Sequence, residues 1–532
     1  MGGNDNKYRY YIFFAAVCLI FIQRFSFNAL YYPVMDDWFL YGDIYADKMA
    51  DFIIPNEKFA IRPMAGVLDM LFVSPLFRHL WAVEIVMTLL LVIGIFLILD
   101  VLRRNGFASG GLFILLLGFL PLNIEATYWL AASIRISSSV FFIGFSCWLL
   151  NGFLQSEKKR FLFGYIIAGF VTVSFYEPAI ALYLFLSCWL VWKKHNKKYA
   201  WILIFTMIHI VYIAIYYMCN STSLEMEARG HLLTSGFLPH TLKITGMAVN
   251  TLTAINFKVF ISGLTRGIFL IIDKRLVIQA FAIIVYSVIF GALSGYFVRK
   301  NQKYERRRLI FGLAVGFVGL LVFYLLEDTR FTIRSAYFAV IGIAIVLEEI
   351  ILLIPFWTRR VFNAVLVSVL SFSFTVSGLG IIDKYQNTSK TDRNIVGQIL
   401  KLDKKKFVTN VDRNTYLLGA VAYYKEIESV EWFESIRGVC SGYADITGCM
   451  RHLSGICNTN NLTPVRDGET INLSVYAETS EICIFFALDD DMNVISVSLN
   501  ESGNDLEITD THHQPYGVLR NVEGTEYLFE KY

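Results

Sequence analysis

Charged residues are scarce in this chain. They make up 17% of its 532 residues, whereas soluble domains contain roughly 25%, and the deficit lies mainly before residue 380. The net charge of +3 and the lack of dense basic runs argue against a nucleic-acid-binding protein. The sequence has no Walker A, HExxH, GxSxG or CxxC motif. These absences exclude the usual signatures of P-loop hydrolases, zinc proteases, α/β-hydrolases and paired-cysteine zinc sites.

Long apolar stretches are abundant instead, and eleven of them lie between residues 8 and 382. A helix needs roughly 20 apolar residues to cross the hydrocarbon of a bilayer. We therefore predict an all-α polytopic membrane bundle of about 11 helices in residues 1–383. The predicted spans are 8–29, 81–102, 108–122, 136–153, 161–176, 179–192, 200–218, 276–298, 309–326, 336–355 and 360–382.

Lys and Arg fall on every second loop between these spans. Basic loops remain on the cytoplasmic side of a membrane. The pattern therefore predicts a cytoplasmic N-terminus and an extracytoplasmic tail, residues 384–532. The basic groups are Lys7 with Arg9, Arg103–Arg104, Lys158–Arg160, Lys193–Lys198, Arg299–Arg308 and Arg359–Arg360.

Two apolar segments do not fit a simple up-and-down bundle. Residues 64–76 are too short to cross a bilayer, and residues 237–272 form a longer region with helical apolar periodicity. We interpret both as helices that lie in the membrane interface on the outer side. The alternative is a missed pair of spans, which would preserve the topology.

The tail is polar and alternates strand-like runs with turn-rich stretches. The runs 471–476, 482–487 and 494–499 predict strands, and 416–427 suggests a helix. A small α+β or β-sandwich domain follows from this pattern. The tail contains Cys440, Cys449, Cys457 and Cys483, and four cysteines in an exported domain permit one or two disulfides.

The first predicted outer loop contains two adjacent acids, Asp36 and Asp37, beside interface aromatics. Neighbouring carboxylates repel each other, which favours a proton acceptor near neutral pH. Such a pair can also hold a divalent cation through its oxygens. The alternative is a solvated turn in which the acids only keep the loop hydrated.

Among the arginines on predicted outer loops, where the charge rule does not expect them, three are candidates for binding a ligand. Arg62 closes the first outer loop, and Arg330 and Arg334 lie in a later one. The planar guanidinium matches phosphate oxygens, so an anionic ligand such as a lipid phosphate would explain them. The alternative for Arg62 is a side chain that snorkels to the headgroups. The alternative for Arg330 and Arg334 is a structural salt bridge with Glu327, Asp328 or Glu177.

Carboxylates and an aromatic residue complete the candidates for an outer-face site. Glu125 and Trp129 share one loop, and an aromatic ring beside an acid suits a sugar. Glu177 is confined to a three-residue loop between apolar spans, where a charge is costly unless it is paired or functional. The alternative is an aromatic belt with exposed acids.

Together these features resemble the polytopic GT-C glycosyltransferases. Within that family, Asp36-Asp37-Trp38 followed by Arg62-Pro63 is similar to bacterial glucosyltransferases that modify O-antigen and related surface glycans. The resemblance covers residues 8–382. It implies a multi-pass protein of the bacterial inner (plasma) membrane, with its site on the outer face.

The resemblance also implies roles for individual residues. Asp36 or Asp37 would deprotonate the acceptor hydroxyl, with Mg or Mn as the divalent cation if one is bound. Arg62 would contact a polyprenyl-phosphate-linked sugar, and the acceptor would be a cell-surface glycan or a lipid-linked one. A polysaccharide polymerase or ligase, a glycolipid transporter and a non-enzymatic receptor or scaffold remain the alternatives.

Overall fold

A computed structural model shows a helical chain that divides into two compact units. Unit 1 is Met1–Tyr31 with Ala50–Ile382, and unit 2 is Tyr32–Met49 with Asp383–Tyr532. Only the backbone is described for residues 3–10, 197, 403–409, 414, 443–444 and 483. The described residues are 3–25, 31–38, 62–73, 75–76, 79–107, 110–194, 196–219, 233–296, 298, 302–327, 331–409, 414–421, 433, 436–455, 462–473 and 483–532.

Unit 1 is built from helices, the last of which continues into unit 2. Short 3-10 turns, such as Pro121–Asn123 and Ile333–Ala336, connect some of them. The helices are α1 Gly3–Phe25, α2 Pro63–Leu68, α3 Leu80–Arg104, α4 Gly111–Phe119, α5 Ile124–Thr127, α6 Leu130–Ser156, α7 Lys159–Val173, α8 Glu177–Lys193, α9 Ile202–Cys219, α10 Phe237–Asn250, α11 Asn256–Asp273, α12 Val277–Tyr296, α13 Arg306–Val318, α14 Leu321–Leu325, α15 Tyr337–Ile351 and α16 Phe356–Thr409.

Six helices in the described part of the chain are long and apolar enough to cross a membrane. Five coincide with predicted spans, and the sixth, Phe237–Asp273, falls on the segment predicted to be interfacial. The other predicted spans are shorter helices, such as the nine-residue α4, or are interrupted, as between α13 and α14. The count of eleven crossings is therefore not established by helix length, whereas the membrane character is supported.

The basic loops meet at one end of unit 1, which we call the basic end. Here Lys193 donates to the carbonyl of Asn105, and Gln302 donates to that of Gly106 at 2.9 Å. Arg359 in turn donates to the carbonyl of Gln302 at 3.2 Å. The loops that sequence analysis assigned to one side of the membrane thus lie together.

The loops without a basic excess meet at the opposite end of unit 1, which we call the ion-pair end. Arg62 pairs with Glu177 and Arg334 pairs with Glu125, so each pair joins two different loops. The amide of Met64 also donates to the carbonyl of Ser174 at 3.1 Å. The alternation of loops read from the charges is therefore present in the fold.

A π-turn at Thr251–Ile255 joins α10 to α11, so that Phe237–Asp273 forms one continuous helix. This helix contacts other elements at the ion-pair end: the ring of His240 bonds the carbonyl of Phe323, and Ser377 donates to the carbonyl of Phe260. Its buried stripe includes Val259, and the opposite face exposes apolar side chains. Because this helix is long and apolar enough to cross a membrane, the alternative that the two segments are a missed pair of spans stays open, whereas Pro63–Val73 is a shorter apolar helix.

Unit 2 contains one eight-stranded sheet with the order β2-β1-β4-β5-β6-β7-β8-β3. β1 is parallel to β2 and β4, and the remaining pairs are antiparallel. The second half of α16 and a helix α17, Tyr443–Ser454, complete the described part. The strands are β1 Asn414–Leu418, β2 Leu462–Val465, β3 Thr470–Asn472, β4 Cys483–Leu488, β5 Val494–Ser502, β6 Asp505–Asp510, β7 Pro515–Glu523 and β8 Glu526–Lys531.

The tail is thus an α+β domain, and its strands correct one detail of the sequence analysis. The predicted runs at 482–487 and 494–499 are strands, and that at 471–476 is one in its first residues. The helix predicted at 416–427 is wrong in its first residues, because residues 414–418 form the internal strand β1, and residues 422–427 lie outside the described part of the chain. Gly419 has a φ of 70° and ends that strand, a conformation that favours glycine.

Cys440 and Cys449 are both free and buried. Two disulfides among the four tail cysteines are therefore excluded. The side chains of Cys457 and Cys483 lie outside the described part of the chain.

Candidate functional site

Arg62 and Glu177 form the first element of the candidate site. Arg62 precedes Pro63, which opens α2, and Glu177 is the first residue of α8. The guanidinium bonds both carboxylate oxygens, with Nε at 3.0 and 3.1 Å and Nη2 at 3.0 Å from Oε2. It also lies 4.8 Å from the ring centroid of Tyr176. This arrangement fixes the orientation of a partly buried cation.

The environment keeps Arg62 protonated. Burial is the largest single influence and lowers the pKa of the guanidinium, but the charge and hydrogen bond of Glu177 together with Tyr176 outweigh it, so that the pKa is raised. Nε and Nη2 face Glu177, whereas the edge that carries Nη1 does not. A guanidinium has donors on both edges, so it can bind a second anion while it keeps its carboxylate partner.

Arg334 forms the second element and has a similar environment. Its Nη1 lies 3.3 Å from Oε1 of the buried Glu125, and its guanidinium lies 4.9 Å from the ring of Trp129. Thr332 and Ser335 form a capping box at the short 3-10 turn that carries Arg334. The backbone around the cation is therefore locally fixed.

Trp129 and Glu125 are nearly inaccessible, with 1% and 0% of their surfaces exposed. The prediction that this ring stacks on a sugar is not supported, because the guanidinium of Arg334 lies over it. Both residues support Arg334. The buried Nε1 of Trp129 has no hydrogen-bond partner among the described residues, which leaves one polar group beside this arginine.

The two arginine sites lie close to each other in unit 1. The ring of Tyr176, which contacts Arg62, lies 6.0 Å from that of Phe338. Phe338 is in the first turn of α15, four residues after Arg334. Arg330, the third predicted phosphate-binding residue, lies outside the described residues.

Two buried ion pairs at the same end were not predicted from the sequence. Arg24 bonds Glu84 and Thr88, each at 2.7 Å, and Arg135 bonds Asp69 at 2.6 Å. Each arginine lies within two turns of the end of a helix, so both pairs lie close to the ion-pair end. The available signal was an arginine inside an apolar run, which requires a counter-charge.

Asp36 and Asp37 belong to unit 2 and differ in burial. Asp37 is fully buried, and its Oδ2 accepts a hydrogen bond from the amide of Val34 at 3.3 Å. Asp36, in contrast, is half-buried. Met35, just before the pair, has a φ of 43°, which is uncommon for a side chain other than glycine. Of the two acids, Asp36 is the one that a substrate can reach.

The described residues do not fit the divalent cation that was considered for this acid pair. No group of three or more His, Cys, Asp or Glu side chains in the described part of the chain is arranged to hold a metal. One oxygen of Asp37 already accepts an amide hydrogen. We therefore derive no catalytic step through a metal ion.

Comparison of the sequence with protein-family models and with curated proteins gives no match. The assignment of a function therefore depends on the geometry and chemistry of the residues described above.

Proposed function

We propose that this protein is a membrane glycosyltransferase of the GT-C type, which transfers a sugar from polyprenyl phosphate to a cell-surface glycan or a lipid-linked acceptor. The observation that carries the proposal is the pair of arginines at the ion-pair end. Arg62 and Arg334 each contact both an aromatic ring and a carboxylate at one end of an apolar helix bundle. Oriented cations at that depth suit the phosphate of a lipid carrier.

In the proposed reaction, Asp36 takes the proton of the acceptor hydroxyl. The acceptor oxygen forms a bond to the anomeric carbon, and the bond between that carbon and the phosphate oxygen breaks. The lipid phosphate leaves as an anion. Arg62, through its Nη1 edge, and Arg334 would stabilise the charge that develops on it.

The carboxylate partners explain why these arginines would favour the leaving group. Glu177 and Glu125 hold the two guanidiniums in place before the substrate arrives, so little reorganisation is needed during the reaction. Glu177 is assigned to orienting Arg62, and Glu125 with Trp129 to orienting Arg334. The Nε1 of Trp129, which has no partner among the described residues, is an additional donor beside Arg334.

The proposal includes an orientation. The basic end would face the cytoplasm and the ion-pair end the exterior of a bacterial cell membrane, with the chain crossing about eleven times and the α+β domain outside. No nucleotide sugar is available there, so the donor would have to be lipid-linked. Positively charged loops gathered at one end support this orientation.

The decisive experiment compares surface polysaccharide from cells with and without the protein by mass spectrometry. A hexose increment that appears only when the protein is present supports the proposal. A change in chain length without a change in repeat-unit mass would indicate a polymerase or ligase. If glycan composition and chain length are both unchanged in a strain that makes the folded protein, the glycosyltransferase proposal is wrong.

A second measurement tests the orientation alone. Cysteines placed at Ser156 at the basic end and at Ser502 in the tail are both at exposed positions. We expect a membrane-impermeant maleimide to label the Ser502→Cys variant in intact cells and the Ser156→Cys variant only after lysis. The reverse pattern would contradict the outer-face site.

A further inference from the structure

The acid pair lies in a short turn whose residues Tyr32–Trp38 belong to unit 2. The amide of Asp37 donates to the carbonyl of Val34 at 3.0 Å, and that of Trp38 donates to the carbonyl of Met35 at 2.8 Å. The side chain of Asp37 then bonds back to the amide of Val34. The turn is thus internally closed, and the position of Trp38 sets the position of both acids.

Trp38 is held deep in unit 2, with 0% of its surface exposed. Its Nε1 donates to Oδ2 of Asp392 at 3.1 Å. Its ring lies 5.6 Å from the guanidinium of Arg393 and 5.5 Å from the ring of His452. The side chain therefore has a directional bond at its edge and packing partners on its rings, which together define one orientation.

Asp392 is itself fixed on its other side. It is completely buried in α16, and its Oδ1 accepts the amide hydrogen of Val439 at 2.9 Å. A single carboxylate therefore joins the first-loop turn to the 3-10 turn at Val439–Ser441 in the C-terminal domain. Hydrogen bonds to a charged acceptor are stronger than neutral ones, and loss of the acceptor would leave two buried donors unsatisfied.

We propose that Asp392 is a positioning residue for the transfer reaction, and that the C-terminal domain acts through it to hold Asp36 in place. The inference rests on the proposed function, because it assigns a role toward the proposed base. Asp392 itself contacts no substrate in this account. It fixes the position of Trp38, and Trp38 in turn fixes the position of Asp37 and Asp36, the two residues that precede it. This gives the α+β domain a function in catalysis without a ligand of its own.

The test uses the full-length protein in detergent with a polyprenyl-phosphate hexose as donor. Asp392→Ala removes the acceptor, Asp392→Asn keeps a side-chain oxygen, and Trp38→Phe keeps the ring but loses the N–H. Asp510→Ala is the matched control, because Asp510 also accepts two backbone amides, those of His512 and Gln514, but within its own turn. Each variant is measured per folded molecule.

We expect Asp392→Ala to lower kcat about 10- to 100-fold while the KM for donor stays within about twofold, since misplacement of a catalytic group affects the chemical step. Asp392→Asn should recover most of kcat, and Trp38→Phe should fall between them. Asp510→Ala should match the unmodified protein. A structural role alone would reduce the yield of folded protein but leave kcat per folded molecule unchanged, and that result would overturn the inference.

A second readout does not depend on activity. In a Met35→Cys background, alkylation of the introduced thiol, measured by peptide mass spectrometry, reports release of the turn. We expect Asp392→Ala to accelerate it at least about fivefold, because the segment loses its buried anchor. Equal alkylation rates with and without Asp392→Ala would refute the anchoring role of Asp392. This result would not depend on which reaction the protein catalyses. If anchoring holds but Asp36→Asn keeps full transfer activity, the assignment of Asp36 as the base fails and the anchor remains, whereas absence of any transfer by the unmodified protein would count against the proposed function.

Discussion

Arg24 in α1 donates to Glu84 in α3 at 2.7 Å, and both side chains are almost completely removed from solvent, with at most 1% exposed. The same guanidinium also bonds the hydroxyl and the carbonyl of Thr127. One arginine thus joins three helices, α1, α3 and α5, at the ion-pair end, and its partner Thr127 lies two residues after Glu125, the partner of Arg334.

Breaking this pair should destabilise the protein. We expect Arg24→Met to lower the free energy of unfolding by about 3–5 kcal/mol, because it leaves the carboxylate of Glu84 buried without its counter-charge. Thermal unfolding in detergent measures the loss. The control is Arg104→Met, whose partner Asp100 is one turn away at the basic end and partly exposed, where about 1 kcal/mol or less is expected. Equal shifts in the two variants would contradict a special role for the Arg24 pair.

Asp36 and Asp37 should be separable by mutation. We expect Asp36→Asn to reduce sugar transfer roughly 100- to 10,000-fold, the usual contribution of a general base. Asp37→Asn should retain more activity than Asp36→Asn, because an amide oxygen can still accept the amide hydrogen of Val34. Transfer from a labelled polyprenyl-phosphate hexose measures both. Full activity in both variants would rule out the first-loop acids as the base.

Arg62 should act through the shape of its guanidinium as well as its charge. Arg62→Lys keeps the charge but cannot bond Glu177 and a phosphate through two edges, so the KM for donor should rise about tenfold, which corresponds to about 1.4 kcal/mol. Arg104→Lys, at an arginine–carboxylate pair on the basic end, is the control and should leave the KM unchanged. An unaltered donor KM in Arg62→Lys would favour the interpretation of Arg62 as a headgroup anchor.

Cys440 and Cys449 should be unreactive thiols in the folded protein. Burial raises the pKa of both, and the negative charge of Asp392 raises them further. We expect negligible alkylation at pH 8 in the native state and rapid alkylation in denaturant, followed by peptide mass spectrometry. Rapid alkylation of the native protein at that pH would contradict the described packing of this region.

The same thiols predict a direction for the pH dependence of stability. The unfolded chain would lose thiol protons near the ordinary pKa of 9.0, whereas the folded chain retains them to higher pH. The contribution of these thiols to stability is therefore complete below pH 9 and decreases as the pH rises above it. Melting temperatures of the protein and of a Cys440→Ala variant should differ less at pH 10 than at pH 8. A larger difference in melting temperature at pH 10 than at pH 8 would contradict the predicted loss of stability with rising pH.

That every second loop lies at the same end of unit 1 could be predicted from the sequence. Lys and Arg mark the loops that stay on the cytoplasmic side during membrane insertion, and this signal is local in the sequence. It identified Arg62, Glu177 and Arg334 as unusual for the same reason. The pairing of these residues depends on contacts between distant loops, and a single sequence contains no such information. Trp129 was predicted to contact a sugar on the assumption that its ring is exposed. Residue type alone does not show that the ring is buried.

Other errors arose where tertiary packing overrides local preference. The apolar run that begins at Tyr416 has a helical appearance, but strands on both sides pair with it, and this converts it into internal β-structure. The hydrogen bond between Trp38 and Asp392 joins residues that are 354 positions apart. Neither segment contains a sequence pattern that predicts this contact. Helix length, in contrast, was overestimated where glycines or turns interrupt apolar runs, as between α13 and α14.

That separation of 354 residues has a consequence for biosynthesis. A ribosome adds roughly 5–20 residues per second, so Trp38 emerges about 20–70 s before the carboxylate that secures it. Throughout that interval the nascent chain contains Asp36 and Asp37 but not Asp392, which anchors them through Trp38. A chain that is still being made, or one truncated before α16 is finished, would therefore lack this bond, and under the proposed function its kcat would be lower by the same factor of about 10 to 100 expected for Asp392→Ala.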